Sequence, residues 1–202
     1  MIAIIDYGVG NIFSLVSAIN KLGFNAIVTS KEEDIISADK IILPGVGAFG
    51  DAMEKLESTG LKDLIISQAR AGKPLLGICL GMQLLFESST EYGYHEGLKL
   101  LPGKVEALKD VVPPSFNVPQ MGWNSLRFEK QDGIFRYVKE GDFVYFVHSY
   151  YVGNTPARLA YSDYGVNVCA MAKDGNVYGA QFHPEKSGTV GLNILKAWCE
   201  GV

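Results

Sequence analysis

The chain has 202 residues, of which 48% are hydrophobic and 20% are charged, and its formal net charge is −4. Such a composition is unlike that of a disordered chain, and the slightly acidic balance gives no overall reason to expect nucleic acid or anionic lipid as a partner. The length predicts a single domain over residues 1–202.

Cysteine usage indicates the compartment. Cys79, Cys169 and Cys199 are widely spaced and form no CxxC pair, so the sequence predicts neither a zinc site nor a disulfide framework. The start, Met1 to Asp6, lacks the basic region that precedes the apolar run of a signal peptide. We therefore expect a soluble cytoplasmic protein with no metal and no cofactor.

The first half of the chain alternates short apolar runs with segments of helical periodicity. Strands are predicted over Ile2–Asp6, Asn25–Thr29, Lys40–Leu43 and Pro74–Ile78. Helices are predicted over Asn11–Leu22, Gly50–Glu57 and Leu61–Ala71, with another beginning at Met82–Glu87. Alternation of this kind predicts a three-layer α/β fold of flavodoxin-like type, with a mainly parallel sheet flanked by helices.

The second half is rich in β-branched and aromatic runs separated by turn residues. Strands are predicted over Lys104–Leu108, Ser125–Phe128, Asp142–Tyr151, Ala157–Tyr161, Asn167–Lys173 and Asn176–Phe182. The Asp174-Gly175 pair indicates a hairpin between the last two. This half is expected to form an antiparallel β extension, followed by a helix near Gly191–Glu200.

The segment Gly77-Ile78-Cys79-Leu80-Gly81 lies between a predicted strand and a predicted helix. This is the nucleophile-elbow pattern, with sulfur in place of the serine oxygen. A sharp turn there would expose the Cys79 thiol, the helix dipole would favour a thiolate, and the Leu80 amide could donate to an oxyanion. A buried structural cysteine is the alternative, and the pattern alone does not decide between the two.

A second motif, His183-Pro184-Glu185, follows the last predicted strand. In extended backbone, residues two apart project to the same face, so Glu185 is expected to hold one imidazole nitrogen while the other faces Cys79. Taken alone, His183 would be interpreted as an ordinary strand-end histidine. Cys79 and this motif together predict a catalytic triad.

Other segments carry weaker signals. Pro44-Gly45-Val46-Gly47 ends a predicted strand with glycines that let backbone N–H groups approach a ligand, although from spacing alone a plain turn before a helix is the favoured interpretation. His148 could serve as a second base, but a histidine at the edge of the core is the favoured interpretation.

Pro44–Gly47, Gly77–Gly81 and His183-Pro184-Glu185 stand in the order and spacing of class I (triad) glutamine amidotransferases, and the chain resembles that family over its whole length. Met121-Gly122-Trp123-Asn124 is similar to the glutaminase subunits of imidazole glycerol phosphate synthases within it. Glutaminases of pyridoxal phosphate or anthranilate synthesis, a cysteine peptidase, and a catalytically silent module of the same fold are the alternatives.

The resemblance implies roles for particular residues. Cys79, His183 and Glu185 would be catalytic, and the backbone amides of Val46 and Leu80 would form the oxyanion hole. Gln83, Ser149 and Tyr150 would bind L-glutamine. A (β/α)8-barrel cyclase would be the partner in a heterodimer, contacted by Asn11, Trp123, Asn124 and Lys186.

Two positions depart from the family pattern. Gln120 stands where many relatives have histidine, and Val46 stands where other amidotransferases have a second glycine. Because a β-branched residue resists unusual backbone angles, we expect the free chain to be poorly active until a partner shifts the Val46 loop.

Overall fold

The structure, a computed structural model, describes residues 1–10 and 12–201. Its central feature is an eight-stranded mixed sheet. With strands numbered in chain order, the five parallel strands lie side by side as β2 (Ala26–Thr29), β1 (Ile2–Ile5), β3 (Lys40–Leu43), β4 (Leu75–Ile78) and β14 (Val177–Ala180). Three antiparallel strands continue the sheet beyond β14, namely β13 (Asn167–Asp174), β12 (Arg158–Asp163) and β9 (Arg127–Phe128).

Alternation along the parallel strands divides the core into two layers. Ile4, Ile42 and Leu76 face one side of the sheet, where they pack with α1 (Ile12–Lys21) and α6 (Gly188–Glu200). Their chain neighbours face the other side, which is covered by α2 (Glu32–Ser37), α3 (Phe49–Ser58), α4 (Leu61–Arg70) and α5 (Leu80–Leu84). Strands buried on both faces need apolar residues at every position, and their near-continuous Ile and Leu runs meet that need. The three-layer α/β prediction is confirmed.

Two smaller sheets lie outside the central one. A two-stranded antiparallel ribbon pairs β8 (Gln120–Ser125) with β10 (Phe143–His148). A four-stranded sheet is formed by β5 (Ser88–Ser89), β6 (His95–Glu96), β7 (Lys104–Ala107) and β11 (Tyr150–Val152). The second half therefore contributes to three sheets, where the sequence predicted one antiparallel extension.

Several predicted boundaries are wrong in this half. The prediction of one strand over Asp142–Tyr151 is wrong because the chain leaves the ribbon after His148 and enters the other sheet at Tyr150. The prediction of one strand over Ser125–Phe128 is wrong because Gln120–Ser125 and Arg127–Phe128 belong to different sheets. In the first half, helix α2 was not predicted, since six residues with one buried side chain, Ile35, give too little periodicity.

No helix within the described ranges is both long and apolar enough to cross a membrane.

Candidate active site

Three loops meet at the carboxyl edge of the parallel sheet, where the ends of parallel strands come together. Pro44–Gly47 follows β3, Cys79 follows β4, and Gln181–His183 follows β14. Because β4 and β14 are neighbours, Cys79 and His183 arrive side by side, and the Cys79 N–H donates to the carbonyl of Ala180 at 2.8 Å. Sheet order thus joins residues about a hundred positions apart in the chain.

The turn at Cys79 is strained and tightly packed. Cys79 has φ 55° and ψ −113°, a conformation that costs about 1–3 kcal/mol for a residue with a Cβ and is found at functional sites. A Cβ at Gly81 would lie 1.9 Å from the carbonyl oxygen of Leu43, and one at Gly77 would lie 2.6 Å from that of Gly81. Both glycines of the Gly-x-Cys-x-Gly pattern are therefore required by the close approach of backbone.

His183 joins Cys79 to Glu185. Its Nδ1 lies 2.8 Å from Glu185 Oε1, and the Cys79 sulfur is close enough to contribute to the pKa of the ring. The side chains of His183 and Glu185 are 5% and 3% exposed. Burial lowers the pKa of His183, but the interactions with Cys79 and Glu185 outweigh burial and raise that pKa to about 9. The geometry favours an imidazolium beside the sulfur at neutral pH.

The prediction that extended backbone brings Glu185 to His183 is wrong, although the two side chains do meet. Glu185 does not continue a strand, because β14 ends at Ala180 and Pro184–Lys186 forms a 3₁₀ turn. The turn, not strand alternation, brings the carboxylate back to the imidazole. Ser187 fixes the turn by donating its hydroxyl to the His183 carbonyl at 2.7 Å and accepting the Tyr145 N–H at 2.9 Å.

A cavity of about 320 Å³ opens at the triad, within the roughly 300–1,000 Å³ typical of small-molecule sites. Its lining includes all the side chains predicted to touch glutamine and both predicted oxyanion residues: Cys79, His183, Gln83, Ser149, Tyr150, Val46 and Leu80. Gln83 is buried and donates its amide to the Tyr150 carbonyl at 2.8 Å and to Gln181 Oε1 at 3.0 Å.

Glu91 also lines the cavity and was missed from the sequence. Its carboxylate accepts the Phe49 N–H, at the start of α3, at 2.7 Å, and burial raises its pKa. Glu91 lies in a loop between short strands, where a single sequence offers no motif. It brings a carboxylate to a cavity whose other lining residues include no Asp or Glu.

Three of the four residues predicted to face a partner fall within the described part of the chain. Trp123 is 52% exposed and packs edge-to-face on Tyr145 at a centroid distance of 6.0 Å. Asn124 accepts the Gln120 side-chain amide at 3.0 Å, and Lys186 borders the cavity. Asn11 lies outside the described residues.

Comparison with known proteins agrees with this geometry. The family model described as glutamine amidotransferase class-I matches residues 3–200. The chain belongs to the class I glutamine amidotransferases.

Curated members of this amidotransferase family are similar over almost the whole chain. A protein of Bacillus thuringiensis (strain Al Hakam) named imidazole glycerol phosphate synthase subunit HisH is 52% identical, covering 97% of this chain and 92% of the relative. One of the same name from Bacillus licheniformis is 53% identical, covering 97% and 94%. The resemblance to the class I family is thereby confirmed.

Solved structures agree at the level of fold. A glutamine amidotransferase crystal structure has a TM-score of 0.75 at 19% identity and covers 99% of both chains. The PurLQS structure from Thermotoga maritima has a TM-score of 0.72 at 20% identity and covers 98% of this amidotransferase and 97% of that chain.

Proposed function

We propose that this chain is the glutaminase subunit of an imidazole glycerol phosphate synthase, which hydrolyses L-glutamine and passes the ammonia to a cyclase subunit in histidine biosynthesis. The observation that carries the proposal is the Cys79–His183–Glu185 array at the mouth of a cavity of about 320 Å³. It occurs in a chain 52–53% identical to curated subunits of that synthase.

The proposed reaction uses Cys79 as the nucleophile and His183 as the group that moves protons. The Cys79 thiolate attacks the side-chain amide carbon of glutamine, and a tetrahedral intermediate forms. The intermediate collapses when the C–N bond breaks and the His183 imidazolium gives its proton to the departing nitrogen, which leaves as ammonia. Neutral His183 then takes a proton from water, which attacks the thioester and releases glutamate and the thiolate. Glu185 orients the imidazole throughout.

Two backbone amides are proposed to stabilise the oxyanion. The Leu80 amide begins helix α5 beside the sulfur, which favours its use as a donor. The Val46 amide is the second donor and lies on a loop whose Val46 side chain is 41% exposed. We infer that the partner moves this loop into the competent arrangement.

L-Glutamine recognition is assigned to the opposite wall and the floor of the cavity. Gln83, Ser149 and Tyr150 would contact the substrate, partly through backbone groups. Glu91 would accept the α-ammonium group, because its carboxylate supplies the opposite charge at the cavity wall.

The partner would be a (β/α)8-barrel cyclase docking on the rim as the second subunit of a heterodimer. Exposed apolar side chains near the cavity support this, since Trp123 is 52% exposed and Met121 is 63% exposed. Asn11, Asn124 and Lys186 complete the proposed contact. We also propose a single domain over residues 1–202 and a cytoplasmic location, supported by three free thiols and a family match over residues 3–200.

The deciding experiment measures glutamine hydrolysis by the purified chain alone, with the cyclase, and with the cyclase plus its nucleotide ligand. We expect roughly a hundredfold stimulation by the liganded cyclase, the effect typical of gaining one oxyanion donor. Equal rates in all three conditions would overturn the proposed loop mechanism. Absence of hydrolysis in all three would overturn the proposed activity.

Other assignments are separated by simple tests. Labelling of Cys79 by a glutamine-like diazo-ketone in the presence of the cyclase is expected, and its failure would favour a catalytically silent module. Deletion of the gene should cause histidine auxotrophy. A requirement for pyridoxal or tryptophan instead would assign the chain to another ammonia-dependent synthase.

A further inference from the structure

The cavity wall opposite Cys79 is a crossover between two sheets. Strand β10 pairs with β8 up to His148, and β11 pairs with β7 from Tyr150, so Ser149 belongs to neither ladder. The Val147 carbonyl oxygen lies 3.9 Å from the Cys79 sulfur. A stretch that faces substrate but lies between two ladders needs other contacts to fix its peptide planes.

One backbone amide and two side chains supply those contacts. The Ser149 carbonyl accepts the Leu108 N–H at 2.9 Å. The Tyr150 carbonyl accepts two donors, the Gln83 side-chain amide at 2.8 Å and His148 Nδ1 at 2.9 Å. A carbonyl oxygen only accepts, so His148 carries its proton on Nδ1 and presents a lone pair at Nε2.

His148 is not arranged to exchange protons with substrate. Its side chain is 7% exposed, and its Nε2 is buried with no hydrogen-bond partner among residues 1–10 and 12–201. The ring packs edge-to-face on Phe146 at a centroid distance of 5.8 Å. Burial lowers the pKa of His148 to about 4, which leaves the ring neutral near pH 7. The histidine is therefore neither a second base nor only an apolar filler, because its Nδ1–H has a defined acceptor.

We propose that His148 is a positioning residue for substrate binding, whose Nδ1–H, together with Gln83, holds the Tyr150 carbonyl and so fixes the Ser149–Tyr150 crossover in the conformation that accepts L-glutamine. This inference rests on the proposed function, because it takes L-glutamine as the ligand. Removing one of the two donors leaves the carbonyl half-bound and frees the crossover. Substrate binding must then order that segment, and the entropic cost of this ordering weakens the affinity for L-glutamine. The triad stays in place.

Three substitutions separate the two ring nitrogens. His148→Asn retains an N–H near the position of Nδ1, His148→Gln places a polar group near the position of Nε2, and His148→Met removes both. Glutaminase kinetics are measured on the complex with the cyclase. L-Glutamine affinity is measured by calorimetry on the same complexes carrying Cys79→Ala, so that binding is read without turnover. Co-elution of each variant with the cyclase on gel filtration checks folding and assembly.

We expect His148→Met and His148→Gln to raise KM and Kd for L-glutamine roughly tenfold, the effect of one buried hydrogen bond, while kcat changes less than about threefold. His148→Asn should restore both constants to near the parent values. Unchanged constants in His148→Met, or rescue by Gln and not by Asn, would overturn the inference while the glutaminase assignment stands. If the parent complex neither hydrolyses nor binds L-glutamine, the proposed function and the inference are both overturned.

Discussion

Two loops at the same sheet edge, both proposed to supply oxyanion donors, are built in opposite ways. At the elbow, backbone packs so closely around Gly77 and Gly81 that neither position has room for a methyl group. In the Pro44–Gly47 loop, the first half is held, since the Tyr7 hydroxyl donates to the Pro44 carbonyl at 2.8 Å. The second half is open, because a Cβ at Gly47 would meet nothing within 4 Å among the described residues.

This contrast indicates how one site combines a fixed nucleophile with adjustable activity. The elbow places Cys79 before any substrate or partner arrives, and its strain is supported by dense packing. In the Pro44–Gly47 loop, a hydrogen bond holds the Pro44 end, and the Gly47 end has open space around it. This is the arrangement of a hinge. A partner that touches the rim has only to shift Val46 to add a donor.

The largest effect is expected from removing the Cys79 thiol, which the elbow holds in a fixed position. Cys79→Ala should lower glutamine-dependent synthesis by at least roughly 10⁴-fold, because no other group forms the thioester. Synthesis from free ammonia by the cyclase complex should be unchanged. Both rates are measured on one preparation, and parallel loss of the two would mean that the nucleophile or the division of labour is misassigned.

A pair of glycine substitutions tests the difference in packing directly. Gly81→Ala should lower the free energy of unfolding by about 3 kcal/mol or more, because its Cβ would overlap the Leu43 carbonyl. Gly47→Ala should lower it by only about 1 kcal/mol, since φ is +97° but the space is empty. Urea unfolding monitored by fluorescence measures both, and equal losses would remove the contrast.

The proposed oxyanion donor in the Pro44–Gly47 loop, the Val46 amide, should respond to a substitution of Val46 itself. Val46→Gly relaxes the backbone with little loss of buried contact, since Val46 is 41% exposed. We expect glutaminase activity of the free chain to rise roughly tenfold and stimulation by the cyclase to shrink in proportion. Val46→Ala, which keeps a Cβ, is the matched control. A free-chain rate that stays at the parent value in Val46→Gly would contradict the hinge.

The triad gives the fixed region a dependence on pH. The pKa of His183 is raised above its ordinary 6.5 to about 9 in the folded chain. Its contribution to stability is therefore fully present below pH 6.5 and is lost as pH rises through about 9. Glu185→Gln removes one cause of the raised pKa, so the variant should lose less stability over this interval. The urea midpoints of the parent and of Glu185→Gln are measured below pH 6.5 and above pH 9. Equal losses of stability in the two proteins would refute the prediction.

The smallest effect is expected at the rim. Lys186→Ala should weaken cyclase binding by about 1 kcal/mol, roughly fivefold in Kd, because an exposed charge at an interface contributes modestly. The fold should be unaffected, because the Lys186 side chain is exposed. Lys62→Ala, on the surface of α4, is the control and should bind normally. Calorimetric titration with the cyclase compares them, and equal affinities would show that Lys186 lies outside the contact.

The sequence alone was sufficient for the parallel half of the fold and for the elbow. Ile41–Leu43 and Leu75–Ile78 carry no polar side chain, which is what burial on both faces requires. The elbow is indicated by the Gly-x-Cys-x-Gly pattern, in which Gly77 packs against Gly81 within the turn itself, although Gly81 is also needed for contact with Leu43. Local patterns suffice when the forces that shape a segment come from its own neighbours or act uniformly along it.

Other features were decided only by tertiary structure. Strand pairing determines the change of sheet at Ser149 and brings Glu91 and His148 to the cavity. Tertiary contacts also determine the 3₁₀ turn at Pro184–Lys186 and which carbonyl each buried donor binds. The sequence placed a histidine and a glutamate two residues apart. Long-range packing set the backbone that brings the histidine beside Cys79, because a contact between residues about a hundred positions apart leaves no periodic mark in the chain.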